Sequence, residues 1–215
     1  MIIVGAKGFS REILEIFHQL DQLKNIGFYD DINMDIHQNL YDRFPVLKSE
    51  MEVKNFFIEN GNEFTLGIGH PHLRFKLYNK FMNLGGMFSS TISPLAHIGH
   101  YGNELGEGCN IMTNTVITNE IKIGKGVLIN LCCTVGHGAI IEDFVELCPG
   151  VNISGNCIIG KYTFIGTNAI VLPNVLIGEN VTIGAGSVVT KDVPGNSMAF
   201  GIPAKVIKNL EPHKF

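Results

Sequence analysis

The chain has 215 residues, of which 45% are hydrophobic and 17% charged, and a net charge of −4. This composition is globular rather than disordered, and it offers no basic field for nucleic acid. No apolar run approaches the ~20 residues of a membrane span. Met1-Ile-Ile-Val-Gly5 opens as a strand rather than as a signal peptide, so a cytoplasmic protein is expected. The five cysteines, Cys109, Cys132, Cys133, Cys148 and Cys157, are odd in number and form no CxxC pair, so buried free thiols and no metal site are expected.

In chain order, Ile2-Ile-Val reads as a short strand followed by the turn Gly5-Ala6-Lys7-Gly8. A helix follows, with Ile13, Leu14, Ile16, Phe17 and Leu20 on its apolar side. Ile26-Gly-Phe-Tyr is a second strand ending at Asp30-Asp31, and Glu50 to Glu59 is a helix. Phe64-Thr-Leu-Gly-Ile68 is a third strand, leading into Gly67-Ile68-Gly69. Leu73 to Met82 is a further helix, and Met87 to Ile92 a final strand. Strand and helix alternate, which predicts a small parallel βαβ domain over residues 1–92. Ligands of such sheets bind beyond the strand C-termini, where helix N-termini favour phosphate. The candidate binding points are therefore Gly5, Ala6, Lys7 and Gly8; Asp30 and Asp31; and Gly67, Ile68 and Gly69. Gly5 to Gly8 lacks the full GxGxxG spacing and also fits a plain strand–helix turn, and Asp30 and Asp31 equally fit turn positions.

A linker lies near Ser93-Pro94, and His97-Ile-Gly99 is an imperfect hexad shifted by one residue from the register of the later hexads. From Leu105 every sixth residue is Leu, Ile or Val, fifteen in a row to Val189. The next position is often glycine, as at Gly106, Gly124 and Gly136, and the fourth after each aliphatic is compact, as at Thr115, Cys133, Ala139 and Ser187. A period of six fits neither an amphipathic helix nor a flat sheet. It fits a solenoid of short parallel strands, with three hexads to an 18-residue coil and coils about 4.8 Å apart. A β-helix over residues 93–200 is expected, with residues 18 apart stacked. The flat faces of so narrow a prism favour an oligomer. A Lys-containing tail, 201–215, caps the last coil.

The hexads, Val135-Gly-His137 and Gly201-Ile-Pro-Ala-Lys205 resemble the left-handed β-helix acetyltransferases. With the βαβ front end, the chain is similar to the group of sialic acid O-acetyltransferases and sugar-nucleotide 4-amino N-acetyltransferases that includes PglD and perosamine N-acetyltransferase. The resemblance implies an α/β domain followed by a left-handed parallel β-helix, a homotrimer, and acetyl-CoA along the β-helix between subunits. It implies a nucleotide-linked sugar held by the N-terminal domain, and a product used in surface glycan synthesis. It makes His137 the general base and places Asn130 on the sugar amine. It implies contacts to acetyl-CoA along the coils from Gly155, Glu146, Thr167 and Ala185, with Lys191, Lys205 and Lys208 near the CoA phosphates, where solvated lysines are the alternative.

Acyl transfer needs a base near neutral pH, and imidazole supplies it. His137 lies two residues after an inward aliphatic, so it should project from its coil. Gly155 lies one coil on, where its N–H can face the thioester oxyanion. His18, His37, His70, His72 and His213 lack such placement and are expected on the surface. The chain departs from the family at Gly138, where an acidic residue follows the base, and at Glu146, where a second histidine is frequent. The 18-residue spacing offers Glu120 as the group that orients His137, with Glu142 and Glu146 as alternatives. No cysteine sits beside a histidine as a nucleophile pair. The readings left are N-acetylation of a UDP-, GDP- or dTDP-linked 4-amino sugar, sugar O-acetylation, or a non-catalytic nucleotide-sugar-binding scaffold.

Overall fold

The computed structural model describes residues 1–33 and 35–212, so His213 lies outside the described residues. It divides the chain into one unit of residues 1–69 and 73–91 and another of residues 70–72 and 92–215. No helix among the described residues is long and apolar enough to cross a membrane.

The first unit is a sheet of β1 (Ile2–Val4), β2 (Gly27–Tyr29), β3 (Asn39–Leu40), β4 (Phe44–Leu47), β5 (Glu63–Leu66) and β6 (Met87–Phe88), in the order β3-β4-β2-β1-β5-β6. Every neighbouring pair is parallel except β3 with β4. Ile2, Ile3 and Val4 are at most 1% exposed, because a central parallel strand is covered on both faces. Helix α1 (Gly8–Gln19) buries Ile13, Leu14, Ile16 and Phe17. Helix α2 (Glu50–Asn60) starts at Ser49, whose hydroxyl accepts the Glu52 N–H, while the Glu52 carboxylate accepts the Lys48 N–H. Helix α3 (Pro71–Asn83) begins on proline, whose missing N–H costs nothing in a first turn. Sequence reading missed the β3–β4 pair. Pro45 argues against a strand, and the turn puts Tyr41 and Asp42, neither of them glycine, at φ 52°. The last expected strand is two short ones, Met87–Phe88 and Thr91–Ile92.

The second unit is a parallel β-helix, the fold expected from the hexads. Its strands are two residues long and fall on three faces. The first face runs Asn110–Ile111, Leu128–Ile129, Glu146–Leu147, Phe164–Ile165 and Thr182–Ile183. The second runs from His97–Ile98 through Val116–Ile117, Thr134–Val135, Asn152–Ile153 and Ile170–Val171 to Val188–Val189. The third runs from Glu104–Leu105 through Lys122–Ile123, Ile140–Ile141 and Ile158–Ile159 to Leu176–Ile177. Partners in successive coils are 18 residues apart, as in Thr134 with Asn152; they are 19 apart at the shifted first hexad, His97 with Val116, and 16 apart at the closing strand, Thr182 with Met198. The inward aliphatics from Ile111 to Val189 are at most 4% exposed. Each contributes about 1.5–3 kcal/mol of hydrophobic burial.

The turn chemistry divides in two. Fifteen residues six apart, from Gly102 to Gly186, adopt positive φ, and eleven of them are Gly or Asn. The glycine just after each aliphatic does not have positive φ. It is there for space: a Cβ on Gly160 would stand 2.5 Å from backbone atoms of the next coil. The last coil is closed by a hairpin of Ser197–Gly201 and Ala204–Asn209, which extends the first face.

Candidate active site

Val135 points inward, and the chain then turns the corner between the second and third faces through Gly136, His137 and Gly138. The His137 side chain is exposed. Its imidazole lies over Gly155 of the next coil, where a Cβ would stand 2.7 Å from Nε2 and 2.8 Å from Cε1. The stacking of residues 18 apart thus brings His137 and Gly155 together, and the missing side chain gives the ring its seat. The His137 carbonyl accepts the Asn156 N–H at 2.8 Å. Among the described residues no acceptor takes the Gly155 N–H. Lys191, exposed, stands at the same corner three coils after His137.

Glu120 is also on this corner, at φ 60°. Its Cγ lies nearest the place of a side chain on Gly102, 3.3 Å away, in the preceding coil. The same lean recurs at this turn position: the Phe144 ring covers Gly126, Asn156 covers Gly138 and Asn168 covers Gly150. No hydrogen bond joins Glu120 to His137 among the described residues.

Asn130, Thr167 and Ala185 sit at a different corner, between the first and second faces. Asn130 is half-buried, with its Oδ1 accepting the Leu131 N–H at 2.8 Å. Thr167 and Ala185 are exposed and stacked one coil apart. Lys205 and Lys208 are exposed on the closing hairpin, and Glu142 lies at the third corner. One chain therefore does not gather the expected acetyl-CoA contacts at a single corner.

Glu146 points outward from the first face and is 6% exposed. Its carboxylate accepts the His70 N–H and lies 3.9 Å from the Cys148 thiol. His72, expected on the surface, is half-buried, with Nε2 2.8 Å from Asn180 Oδ1 and its ring stacked on Tyr162. No pattern in the sequence marked this contact, which joins residues 108 apart. Of the cysteines only Cys132 is exposed. Burial pushes the Cys133 thiol up to about 11, and burial with the Glu146 charge pushes Cys148 up to about 12, so neither is poised as a thiolate.

In the first unit, the pairing of β1 with β5 lays Gly5 against Gly67, where a Cβ on Gly5 would stand 2.8 Å from the Gly67 oxygen. Ala6 is buried, Lys7 and the start of α1 follow, and Gly8 faces open space. Fully buried Arg74, which sequence reading passed over, donates to the carbonyls of Leu66 (3.2 Å) and Ile68 (2.8 Å) and so fixes the entry to Gly69. Asp30 is spent on its own loop, accepting from the Asn33 N–H (2.8 Å) and side-chain amide (2.9 Å). Asp31 accepts from the Tyr29 hydroxyl (2.7 Å) and from Lys80 (2.9 Å), which also donates to the Tyr29 oxygen (2.6 Å). Burial pushes the Tyr29 phenol up. Burial opposes the charge on Asp31 and Lys80, but their hydrogen bonds with Tyr29 and each other win, holding Asp31 below and Lys80 above the ordinary range. Among the described residues no group of three or more His, Cys, Asp or Glu is placed to hold a metal ion.

Residues 1–81 match the PglD N-terminal domain, and residues 156–191 match the bacterial transferase hexapeptide, six repeats. A provisionally named acetyltransferase of Schizosaccharomyces pombe is 37% identical over 116 residues, 52% of this chain and 53% of that protein. The chain spans about half the length of the curated relatives it matches. Solved structures align over nearly the whole chain. A histidine-to-asparagine mutant of perosamine N-acetyltransferase from Caulobacter crescentus, in complex with CoA and GDP-perosamine, has a TM-score of 0.89 at 26% identity, covering 97% of this chain and 96% of that one. The acetyltransferase domain of PglB from Neisseria gonorrhoeae scores 0.87 at 28% identity, covering 96% and 98%. WeeI from Acinetobacter baumannii scores 0.84 at 29% identity, covering 96% and 100%. Residues 1–81 are thus similar to a PglD-type N-terminal domain and residues 156–191 to a bacterial transferase hexapeptide repeat, and the whole chain shares the fold of the acetyltransferases with which it aligns.

Proposed function

We propose that this protein transfers an acetyl group from acetyl-CoA to the 4-amino group of a nucleotide-linked amino-deoxy sugar. The observation that carries the reading is His137, an exposed imidazole seated over the bare Cα of Gly155, whose N–H has no acceptor among the described residues. The CoA and GDP-perosamine bound to the C. crescentus relative support this class of substrates.

The amine nitrogen attacks the thioester carbonyl carbon, and the carbonyl electrons move onto oxygen. The Gly155 N–H donates to that oxyanion. Nε2 of His137 takes the proton that the amine loses, the C–S bond breaks as the carbonyl re-forms, and the proton passes to the departing CoA sulfur. No covalent enzyme intermediate is needed, in keeping with the raised Cys133 and Cys148 thiols. The sugar nucleotide is bound by the Gly5–Gly8 and Gly67–Gly69 turns of the first unit.

The enzyme acts as a cytoplasmic homotrimer. His137 with Gly155 and Lys191 stands at one corner of the prism, while Asn130, Thr167 and Ala185 stand at another, so a second copy is needed to face one set with the other. The product feeds surface glycan synthesis. Incubation with acetyl-CoA and a panel of UDP-, GDP- and dTDP-4-amino sugars, followed by thiol release, tests the reading. His137→Ala should lower kcat at least about a hundredfold. Normal sugar-nucleotide binding without thiol release sinks it in favour of a scaffold, and release only with hydroxyl acceptors in favour of O-acetylation.

A further inference from the structure

We propose that Arg74 is the positioning residue of the two glycine turns that bind the sugar nucleotide. This rests on the reading of those turns as the nucleotide site. Strands β5 and β6 pair only at Glu63 with Met87 and Phe64 with Phe88, and the Ser89 N–H then takes the Phe64 carbonyl at 2.9 Å. Beyond that point β6 has ended. β5 runs on against β1 as far as Gly67, whose N–H donates to the Val4 carbonyl at 2.8 Å. Carbonyls two residues apart leave an extended strand on the same side, so those of Leu66 and Ile68 face the edge that β6 vacates. Both accept from one nitrogen, Arg74 Nη1, at 3.2 and 2.8 Å. Arg74 stands in the first turn of α3 and is fully buried.

A guanidinium carries five donors and no acceptor, so it stands in for the missing strand. A carbonyl buried without a donor is costly, and removing the guanidinium frees the segment to open. The hold on Ile68 reaches the other turn by contact. A Cβ on Gly5 would stand 2.7 Å from Ile68 Cγ2 and 2.8 Å from the Gly67 oxygen, and one on Gly67 would stand 2.7 Å from Ile3 Cγ2 and Ser10 Cβ. Ser10, fully buried in α1, donates to the Lys7 carbonyl at 2.5 Å. The two turns are thus interlocked, and displacing Ile68 displaces the start of α1. Arg74 acts through the turns rather than on the ligand: it fixes the backbone N–H groups beyond the strand C-termini, where phosphate binds.

Two variants test this in the full chain. Arg74→Met keeps the apolar stem and removes the donors, and Arg74→Lys keeps a charge and one donor nitrogen. Amide hydrogen exchange read by mass spectrometry needs no ligand. In Arg74→Met, exchange should speed up about tenfold or more in residues 66–70 and 5–8, while β2 and α2 keep their protection. Calorimetric titration with UDP, GDP and dTDP reads the site itself. Kd for the nucleotide that the parent binds should rise about tenfold or more in Arg74→Met and recover in part in Arg74→Lys. In turnover, KM for the sugar nucleotide should follow Kd, with kcat and KM for acetyl-CoA unchanged. Should Arg74→Met not fold, Arg74→Lys decides, with the same two shifts at about threefold. Exchange that is unchanged, or faster throughout the first unit alike, overturns the assignment by making Arg74 an ordinary core group. A parent that binds nucleotide with a Kd indifferent to both variants overturns this assignment alone. A parent that binds none of the three nucleotides overturns the reading of the turns, and this assignment with it.

Discussion

At the scale of residues, the base and its seat are set by what a side chain would displace. Gly155→Ala puts a methyl carbon 2.7 Å from Nε2, inside contact distance, so the ring must leave or the coil must shift. A fall in kcat of about a hundredfold is expected, with the circular dichroism spectrum unchanged. Retention of full turnover would show that the ring has another working position. The Asp31–Lys80 pair makes a prediction about pH. Asp31 is held below its ordinary range, so its contribution is present at neutral pH and is lost as pH falls through its folded value. Lys80 is held above its ordinary range, so its share is present at neutral pH and is lost only at strongly alkaline pH. Both side chains are partly exposed, at 27% and 37%, so the pair is worth only about 0.5–1 kcal/mol. Asp31→Asn should lower the thermal midpoint at pH 7 by a few degrees, and by progressively less as the pH falls through the folded value of the carboxyl. An equal gap at every pH would show that the charge is not the cause.

Among the elements, the β-helix depends on two different small-residue positions in each hexad. One is the turn position at positive φ, filled by Gly, Asn or, at Glu120, Cys132, Phe144 and Tyr162, by residues for which that conformation costs about 1–2 kcal/mol. At Phe144 and Tyr162 the rings stack on one another at 6.1 Å, and Tyr162 also stacks on His72. The other is the glycine after the aliphatic, held at close approach to the next coil. Gly160→Ala should therefore destabilise by about 1–3 kcal/mol in urea melts. Asn174→Gly, at φ 62°, should change stability by only a few tenths of a kcal/mol. A harmless Gly160→Ala would mean the coils can part without cost. The hexads made the inward residues and the stacking interval legible from sequence. The lean of the turn side chains was not legible. It follows from backbone geometry at positive φ, where Phe144, Asn156 and Asn168 lie against glycines of the coil before.

Across the molecule, the outward column Ile140, Ile158 and Leu176 is 37–45% exposed on the third face, beside the His137 corner. Burial of this column against another copy fits the proposed homotrimer and would complete the site with the second set of contacts. Light scattering should give a mass three times the 23.6 kDa of one chain. Ile158→Glu should lower that mass and reduce turnover together, because a buried unpaired carboxylate opposes association. A monomeric parent with full activity would remove the shared site.

The sequence by itself determined the coil, its core and the exposure of His137. A six-residue period admits one way to hide its aliphatics, and position within the hexad then decides which side chains point out. It also determined the alternating strands and helices of the first unit. Only the tertiary structure decided what those side chains meet. The buried Arg74, the seat of His137 over Gly155, and the clasp of His70 and His72 on Glu146, Asn180 and Tyr162 all join residues by shape and backbone angle. Periodicity records which face a residue occupies, but not the direction its side chain takes once there.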